Sequence, residues 1–136
     1  MIFLDTNVLA YIPDSRDPEK RRIAMSIIAA ACDSPDFLVS AQVLNEFANV
    51  AMRKLGKTRD ETLEFLGYFE RIRTVPVLPG WTARAIEIMG RYGIQFFDAL
   101  LVAAAEAHGC DTIYTEDLAD GQTYCGVRAE NPFRTV

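Results

Sequence analysis

Four acidic residues in this chain stand at positions where carboxylates can act together. Two of them follow short apolar runs, at residues 2–4 and 112–115, one lies on the polar side of a helical pattern, and one interrupts the otherwise apolar stretch 96–105. In that order they are Asp5 and Asp117, Glu46, and Asp98. Carboxylates that converge repel one another unless cations neutralise them. If these four meet, we expect a bound divalent cation.

The other side-chain types narrow the choice of cation and of reaction. The chain has one histidine, His108, which rules out a multi-histidine site, and its three cysteines form no C-x-x-C pair that would suggest zinc. Oxygen ligands alone favour Mg²⁺ or Mn²⁺. Mg²⁺ binds one or two carboxylates together with substrate phosphate and can activate water. The predicted reaction is therefore metal-assisted attack of water on a phosphodiester.

Each acid also has a purely structural interpretation. Asp5 can cap the helical turn that follows it, and Asp98 can cap a helix that begins at the next residue. Glu46 can be a solvated helix residue, and Asp117 can belong to a turn. These interpretations are independent of one another, whereas a shared metal site accounts for all four acids at once.

An alternation of short strands and longer helices must position the acids. Apolar runs predict strands at residues 2–4, 37–39, 75–77, 112–115 and 126–129, and Pro76 predicts a sheet edge for the third. Periodic apolar residues predict helices at 19–32, 41–55, 59–73, 80–92 and 94–108. This order predicts a three-layer α/β/α sandwich with a mostly parallel central sheet. Such sheets place their sites at the carboxyl ends of strands, where Asp5 and Asp117 lie.

The composition is that of one small folded unit. The chain has 136 residues, half of them hydrophobic, with 14 Lys and Arg against 19 Asp and Glu, so its net charge is −5. These values predict a single globular domain over residues 1–136. The longest uncharged stretches are about ten residues, well short of the ~20 that span a bilayer, and no basic export signal precedes the first apolar run. We expect a protein of the reducing cytoplasm with no membrane partner.

Four short motifs carry a resemblance to a known family. They are Ile2-Phe3-Leu4-Asp5-Thr6-Asn7, Ser40-x5-Glu46, Phe97-Asp98-Ala99-Leu100 and Tyr114-Thr115-Glu116-Asp117. In order and spacing they resemble the four acidic motifs of PIN-domain nucleases. The ending, from Asp117-Leu118-Ala119-Asp120-Gly121 through Asn131-Pro132-Phe133, is similar to the VapC-type toxins of toxin–antitoxin pairs. The resemblance covers nearly the whole chain and implies a PIN-like fold.

The resemblance also implies roles for individual residues. The catalytic and metal-binding acids would be Asp5, Glu46, Asp98 and Asp117, with Asp5 nearest the centre. The supporting residues would be Thr6, Asn7, Thr115 and the outer acid Asp120. Glu116 and Asp120 each compete with Asp117 for the fourth position, and the sequence leaves that choice open.

An activity and a set of partners follow from the same resemblance. It implies a Mg²⁺- or Mn²⁺-dependent endoribonuclease that hydrolyses RNA as the toxin of a type II toxin–antitoxin system. The implied partners are an RNA substrate, a cognate antitoxin protein and a second copy of the chain, in a homodimer and a toxin–antitoxin hetero-oligomer. Arg53, Lys54 and Lys57, with the basic segment 20–22, are candidates for binding RNA phosphates, but a solvated face or a docking surface for an acidic partner explains them equally well.

Other functions fit parts of the same pattern. A housekeeping PIN-domain nuclease of RNA processing and a PIN-like module that binds without cleaving would carry similar motifs. A phosphatase of the haloacid-dehalogenase type could begin with Asp5-Thr6-Asn7, but it needs a later lysine, and no lysine follows Lys57. The net charge of −5 does not exclude RNA as a substrate, because the four acids of the predicted site supply most of it.

Overall fold

A sheet of six strands forms the middle layer of the fold. In the computed structural model, which describes residues 1–134, the strands are β1 (Ile2–Leu4), β2 (Phe37–Ser40), β3 (Arg73–Val75), β4 (Thr112–Tyr114), β5 (Thr123–Tyr124) and β6 (Val127–Glu130). Their order across the sheet is β3-β2-β1-β4-β6-β5. Every neighbouring pair is parallel except β5 with β6. The predicted mostly parallel sheet is confirmed.

Helices cover both faces of this sheet. They are α1 (Thr6–Ala10), α2 (Pro18–Asp33), α3 (Ala41–Arg53), α4 (Arg59–Phe69), α5 (Gly80–Tyr92) and α6 (Phe96–Ala107). The chain steps from β1 to β2 to β3 in one direction and returns from β3 to β4 in the other. Because such crossovers are right-handed, α1 to α4 lie on one face and α5 and α6 on the opposite face. The packing of α1 on α2 and α3, of α3 on α4, and of α5 on α6 agrees, so the three-layer sandwich is confirmed.

The centre of the sheet is buried on both faces. Phe3 and Leu4 of β1 are inaccessible to solvent, as are Leu38 and Val39 of β2, and successive strand residues point to opposite faces. Every residue of α6 from 99 to 105 is buried as well. No single helix within residues 1–134 has the length and hydropathy to cross a membrane. Helices α5 and α6 have the required length and hydropathy only when taken together, and the chain bends by 113° between them.

The strand order creates a topological switch point between β1 and β4. The first connection leaves β1 towards β2 on one side, while β4 lies on the other side. Ligands of parallel α/β sheets bind in the crevice outside the carboxyl ends of the strands at such points. Asp5 follows β1 there, and its backbone N–H donates to the carbonyl of Tyr114 at the end of β4, 3.1 Å away. The fold therefore brings the first and fourth motifs side by side.

Three predicted elements end two or more residues earlier in the chain than expected. The helix predicted over 59–73 ends at Phe69, and the strand predicted at 75–77 occupies Arg73–Val75. Pro76 has no N–H to donate to a ladder, so the strand uses the residues before it. The strand is at the sheet edge, as Pro76 predicts. The helix predicted to reach residue 55 ends at Arg53.

The sequence analysis does not predict β5. This two-residue strand is joined to β6 by Cys125 and Gly126, which have φ of 51° and 81°. Two central residues with positive φ are the mark of a type I′ hairpin turn, whose twist suits antiparallel strands. The missed signal is the glycine at the second turn position.

Candidate active site

Asp5 is the most deeply buried acid at the switch point, with 6 % of its surface exposed. Its Oδ1 accepts the backbone N–H of Thr6 at 2.7 Å, and its Oδ2 accepts the hydroxyl of Thr115 at 2.7 Å. Burial raises the pKa of Asp5 to about 7, the charges of Asp117 and Glu46 add to this, and the two hydrogen bonds oppose it. Asp5 does cap α1, as its structural interpretation predicts, but its charged form is also one that a nearby cation would stabilise.

Thr115 joins the ends of β1 and β4. While its hydroxyl donates to Asp5, the same oxygen accepts the backbone N–H of Asp117 at 3.0 Å. The threonine thereby ties the backbone of the fourth acid to the carboxylate of the first. The family resemblance implies a supporting role for Thr115, and these two hydrogen bonds are the contacts through which it would act.

The amide of Asn7 lies between Asp5 and Asp117. Its Nδ2 is 3.4 Å from Oδ2 of Asp5 and 3.3 Å from Oδ2 of Asp117. The NH₂ group must face these oxygens because an amide oxygen in its place would be repelled. The other end of the amide, Oδ1, is buried and has no hydrogen-bond partner among residues 1–134. Buried polar atoms are nearly always paired, with protein groups, ordered water or a ligand.

Glu46 reaches the site from the second turn of α3. Ser40, at the end of β2, caps this helix through a bond from the Val43 N–H to its hydroxyl, so α3 starts at the same sheet edge. Both carboxylate oxygens of Glu46 are held: Oε2 accepts the hydroxyl of Thr6 at 2.7 Å, and Oε1 accepts the amide of Gln42 at 2.8 Å. The interpretation of Glu46 as a freely solvated helix residue is wrong.

Asp98 approaches from the opposite face, in the first turn of α6. It does not cap the helix, because Gln95 occupies the N-cap position, so that structural interpretation is also wrong. Burial raises the pKa of Asp98, and the charges of Asp117 and Glu46 raise it further, whereas a hydrogen bond to the Gln95 side chain lowers it. The sequence analysis gives Gln95 no role, because no known capping pattern marks it.

The four predicted acids therefore form one electrostatic group, which we call the acid cluster. Asp117 and Glu46 act on both Asp5 and Asp98. Within residues 1–134, no group of three or more His, Cys, Asp or Glu side chains lies close enough together to hold a metal ion. Mg²⁺ keeps several waters and uses only one or two carboxylates, so an open cluster suits it. The all-oxygen donor set and the raised pKa of Asp5 fit a hard divalent cation.

The structure distinguishes Asp117 from Glu116 and Asp120, the two other candidates for the fourth acid of the site. Glu116 accepts the hydroxyl of Tyr11 at 2.6 Å and the ammonium group of Lys20 at 2.8 Å. Asp120 accepts the backbone N–H of Asn131 at 2.8 Å and the guanidinium of Arg134 at 2.9 Å, and its outer supporting role stays a prediction. Asp117 is the one of the three whose charge raises the pKa of Asp5 and Asp98.

The predicted basic residues have different surroundings. A cavity of about 410 Å³ beside the acid cluster is lined by Thr6, Asn7, Ala10, Glu46, Asn49, Val50, Lys54 and Asp117. Lys57 shares a second cavity with Lys54, while Arg53 is exposed and lines neither. The three residues of the segment 20–22 bind acceptors of the protein itself, namely Glu116, the Ile12 carbonyl and Glu19. Lys54 is thus the predicted basic residue that borders the acids.

Comparison with known proteins gives a family and several similar folds. Residues 2–119 match the family model of the PIN domain, while no curated protein sequence matches. The fold resembles VapC20 of Mycobacterium tuberculosis, a toxin that cleaves the sarcin–ricin loop, with a TM-score of 0.71 and 22 % identity over 94 % of this chain and 99 % of that chain. It also resembles a chain of a toxin–antitoxin complex from Klebsiella pneumoniae, with a TM-score of 0.73 and 17 % identity over 98 % of both chains.

A third similar structure is VapBC2 of Rickettsia felis bound to a DNA fragment from its promoter. Its TM-score is 0.69 at 19 % identity, over 96 % of this chain and 98 % of that chain. Identities this low establish the fold and nothing further. The family match is different in kind, because it spans most of the sequence and includes all four residues of the acid cluster. The chain belongs to the PIN domain family.

Proposed function

We propose that this chain is a Mg²⁺- or Mn²⁺-dependent endoribonuclease that acts in the cytoplasm as the toxin of a type II toxin–antitoxin pair. The observation that carries the proposal is Asp5, a buried acid with a pKa of about 7 that faces the charges of Asp117 and Glu46. Such an arrangement weakens the folded protein unless a cation compensates it. Membership of the PIN domain family and the similarity to the fold of an RNA-cleaving toxin support this function.

Different side chains would have different roles in the hydrolysis of RNA. Asp5, Glu46, Asp98 and Asp117 would hold the cation, which when bound supplies activated water and stabilises the leaving 3′-oxygen. Thr115 orients Asp5, and Thr6 with Gln42 orients Glu46. The Asn7 amide, placed between two of the acids, reduces their mutual repulsion. The cavity beside the cluster gives an RNA strand access to these groups.

Protein partners belong to the same proposal. Two of the similar folds come from toxin–antitoxin complexes, which supports a cognate antitoxin for this chain. Large exposed apolar side chains suit contacts with an antitoxin and with a second copy of the chain. They include Leu63, Val77, Leu78, Ile86 and Phe97.

The test is RNA cleavage by the purified chain in Mg²⁺, in Mn²⁺ and in EDTA. We expect cleavage with either metal and none in EDTA. Asp5→Asn and Asp98→Asn should each lower the rate by about 10²-fold or more, since each removes a ligand charge. Asp36→Asn is the matched control. Asp36 is exposed and lies at the amino end of β2, whereas the acid cluster lies at the carboxyl ends of the strands, so this variant should cleave RNA at the wild-type rate.

Each alternative function gives a different result. Equal cleavage by the wild type and Asp5→Asn would contradict the proposed mechanism. RNA binding without cleavage in any metal would instead indicate a binding module. Expression of the chain in a host should arrest growth, and co-expression of the protein encoded by the adjacent reading frame should relieve the arrest; active enzyme without arrest would indicate a housekeeping nuclease.

A further inference from the structure

A second cavity adjoins the one beside the acid cluster, and Lys54 lines both. The second cavity, which we call the basic groove, has a volume of about 140 Å³, and its charged lining residues are Asp14, Arg16, Lys54 and Lys57. It lies where the turn after α1 meets the end of α3. Because one side chain borders both cavities, a ligand that leaves the acid cluster along Lys54 enters the basic groove.

The basic groove is positively charged although the chain as a whole carries −5. Three of its charged side chains are cations and one is an acid. That acid, Asp14, is buried, and its two carboxylate oxygens accept Nε and a terminal nitrogen of Arg16, each at 2.8 Å. The Arg16 hydrogen bonds lower the pKa of Asp14, and the charge of Lys57 does so as well. Asp14 thus neutralises Arg16 and fixes it in place, which leaves the charges of Lys54 and Lys57 for a ligand.

We propose that the basic groove binds a backbone phosphate of the RNA strand next to the phosphate held at the acid cluster. Lysine ammonium groups bind phosphates as point charges and provide no base-specific contact, so this binding would be independent of sequence. The shared Lys54 favours RNA over an acidic peptide, because a strand whose scissile phosphate lies at the acids must continue past this side chain. The inference rests on the proposed function and adds the direction in which the substrate leaves the site.

The neighbouring residue Arg53 provides a matched control for this proposal. Arg53 and Lys54 are adjacent cations at the end of α3, but Arg53 lines neither cavity. Replacing either one changes the net charge by the same amount. Any difference in RNA binding between Arg53→Gln and Lys54→Gln therefore results from where the lost charge is located, not from the change in net charge. Arg16 is unsuitable for substitution, since its loss would leave the buried Asp14 without its partner.

The experiment measures binding of a fluorescent single-stranded RNA by anisotropy over a salt series, with Asp5→Asn as the background to prevent cleavage. Lys54→Gln and Lys57→Gln should each raise Kd by about 3- to 10-fold and reduce the slope of log Kd against log salt by about 0.7, the value for one phosphate contact on a single strand. Arg53→Gln should change Kd by less than about twofold. In the cleaving protein, the two lysine variants should raise KM and leave kcat unchanged.

Two results would overturn the basic groove as a phosphate site. One is an unchanged Kd in both lysine variants, and the other is an equal change in Arg53→Gln, which would mean that only net charge matters. Unchanged RNA binding with weakened binding of a poly-L-glutamate probe would assign the groove to an acidic polypeptide instead. The proposed function can fail separately. If the protein does not cleave RNA but its lysine variants lose RNA binding, the basic groove remains a phosphate site and the proposed nuclease activity is contradicted.

Discussion

At the scale of the residue, the charged form of Asp5 lowers the free energy of unfolding, although the proposed metal site requires that charge. Its pKa is about 7 in the folded chain against 3.8 for a free aspartate. Between these values the native state binds more protons than the unfolded state, so the free energy of unfolding falls as pH rises from about 4 to 7 and falls no further above that. The cost is fully present at pH 8, where the carboxyl is charged. A bound cation would offset that cost.

Asp5→Asn should therefore stabilise the metal-free protein at alkaline pH. We expect the stability advantage of the variant over the wild type to be about 2–3 kcal/mol larger at pH 8 than at pH 5, because the wild type goes on losing stability until the pH passes the folded pKa of about 7. Urea denaturation in EDTA at the two pH values measures this difference. A wild type that is the more stable protein at pH 8 would show that the carboxylate is not destabilised.

Thr115 provides a second test at this scale. Thr115→Val removes the donor to Asp5 and the acceptor of the Asp117 N–H, so both acids lose orientation. We expect cleavage to fall about 10- to 100-fold and the Mn²⁺ concentration for half-maximal cleavage to rise, as when partners of metal ligands are removed. Thr112→Val is the control, because Thr112 begins β4, the strand that Thr115 follows. Equal effects of the two substitutions would mean that the contacts of Thr115 with Asp5 and Asp117 do not contribute to cleavage.

At the scale of the element, three side chains join α1 and α2 to the segment after β4. Lys20 donates to Glu116 at 2.8 Å and to the hydroxyl of Tyr11 at 3.2 Å, and Tyr11 in turn donates to Glu116. Lys20 and Glu116 are both mostly buried, with 25 % and 21 % of their side chains exposed. Both contacts raise the pKa of Lys20, so its charge persists at neutral pH. This cluster holds the carboxyl group of Glu116 away from Asp117, the acid next to it in sequence.

Lys20→Met should destabilise the protein by about 1–2 kcal/mol, because the mostly buried carboxyl group of Glu116 loses its main partner. Arg22→Met is the control. Its ion pair with Glu19 is exposed, so its loss should cost less than about 0.5 kcal/mol. Urea unfolding at pH 7 compares the two variants. Equal midpoints for both would mean that the Lys20 cluster adds nothing to the joining of these elements.

The elements also show how far the sequence predicts this fold and why it stops. Apolar runs that end in acids were sufficient to predict the strand ends at Asp5 and Asp117 and the side of the sheet where they meet. The local sequence pattern could not show whether Glu116 or Asp117 is the fourth acid of the site. The answer depends on Tyr11 and Lys20, which belong to other parts of the chain and bind Glu116. The shift of β3 has a similar origin: pairing with β2 selects the three residues before Pro76.

At the scale of the whole molecule, charge is unevenly distributed along the carboxyl edge of the sheet. The four residues of the acid cluster account for most of the net charge of −5, and the basic groove lies next to them. A strand of RNA, itself a polyanion, meets cations beside the acids. With a divalent cation in the cluster, the repulsion between the site and the scissile phosphate would become attraction.

The most direct test of this account is a Mn²⁺ titration in which bound metal and RNA cleavage are followed in the same samples. Electron paramagnetic resonance of the free ion gives the metal bound per chain. We predict that binding and cleavage rise over the same Mn²⁺ range in the wild type and in Asp36→Asn, and that both are lost in Asp5→Asn. Cleavage that persists in EDTA, or that proceeds at the wild-type rate in Asp5→Asn, would contradict a metal-dependent site built on the acid cluster.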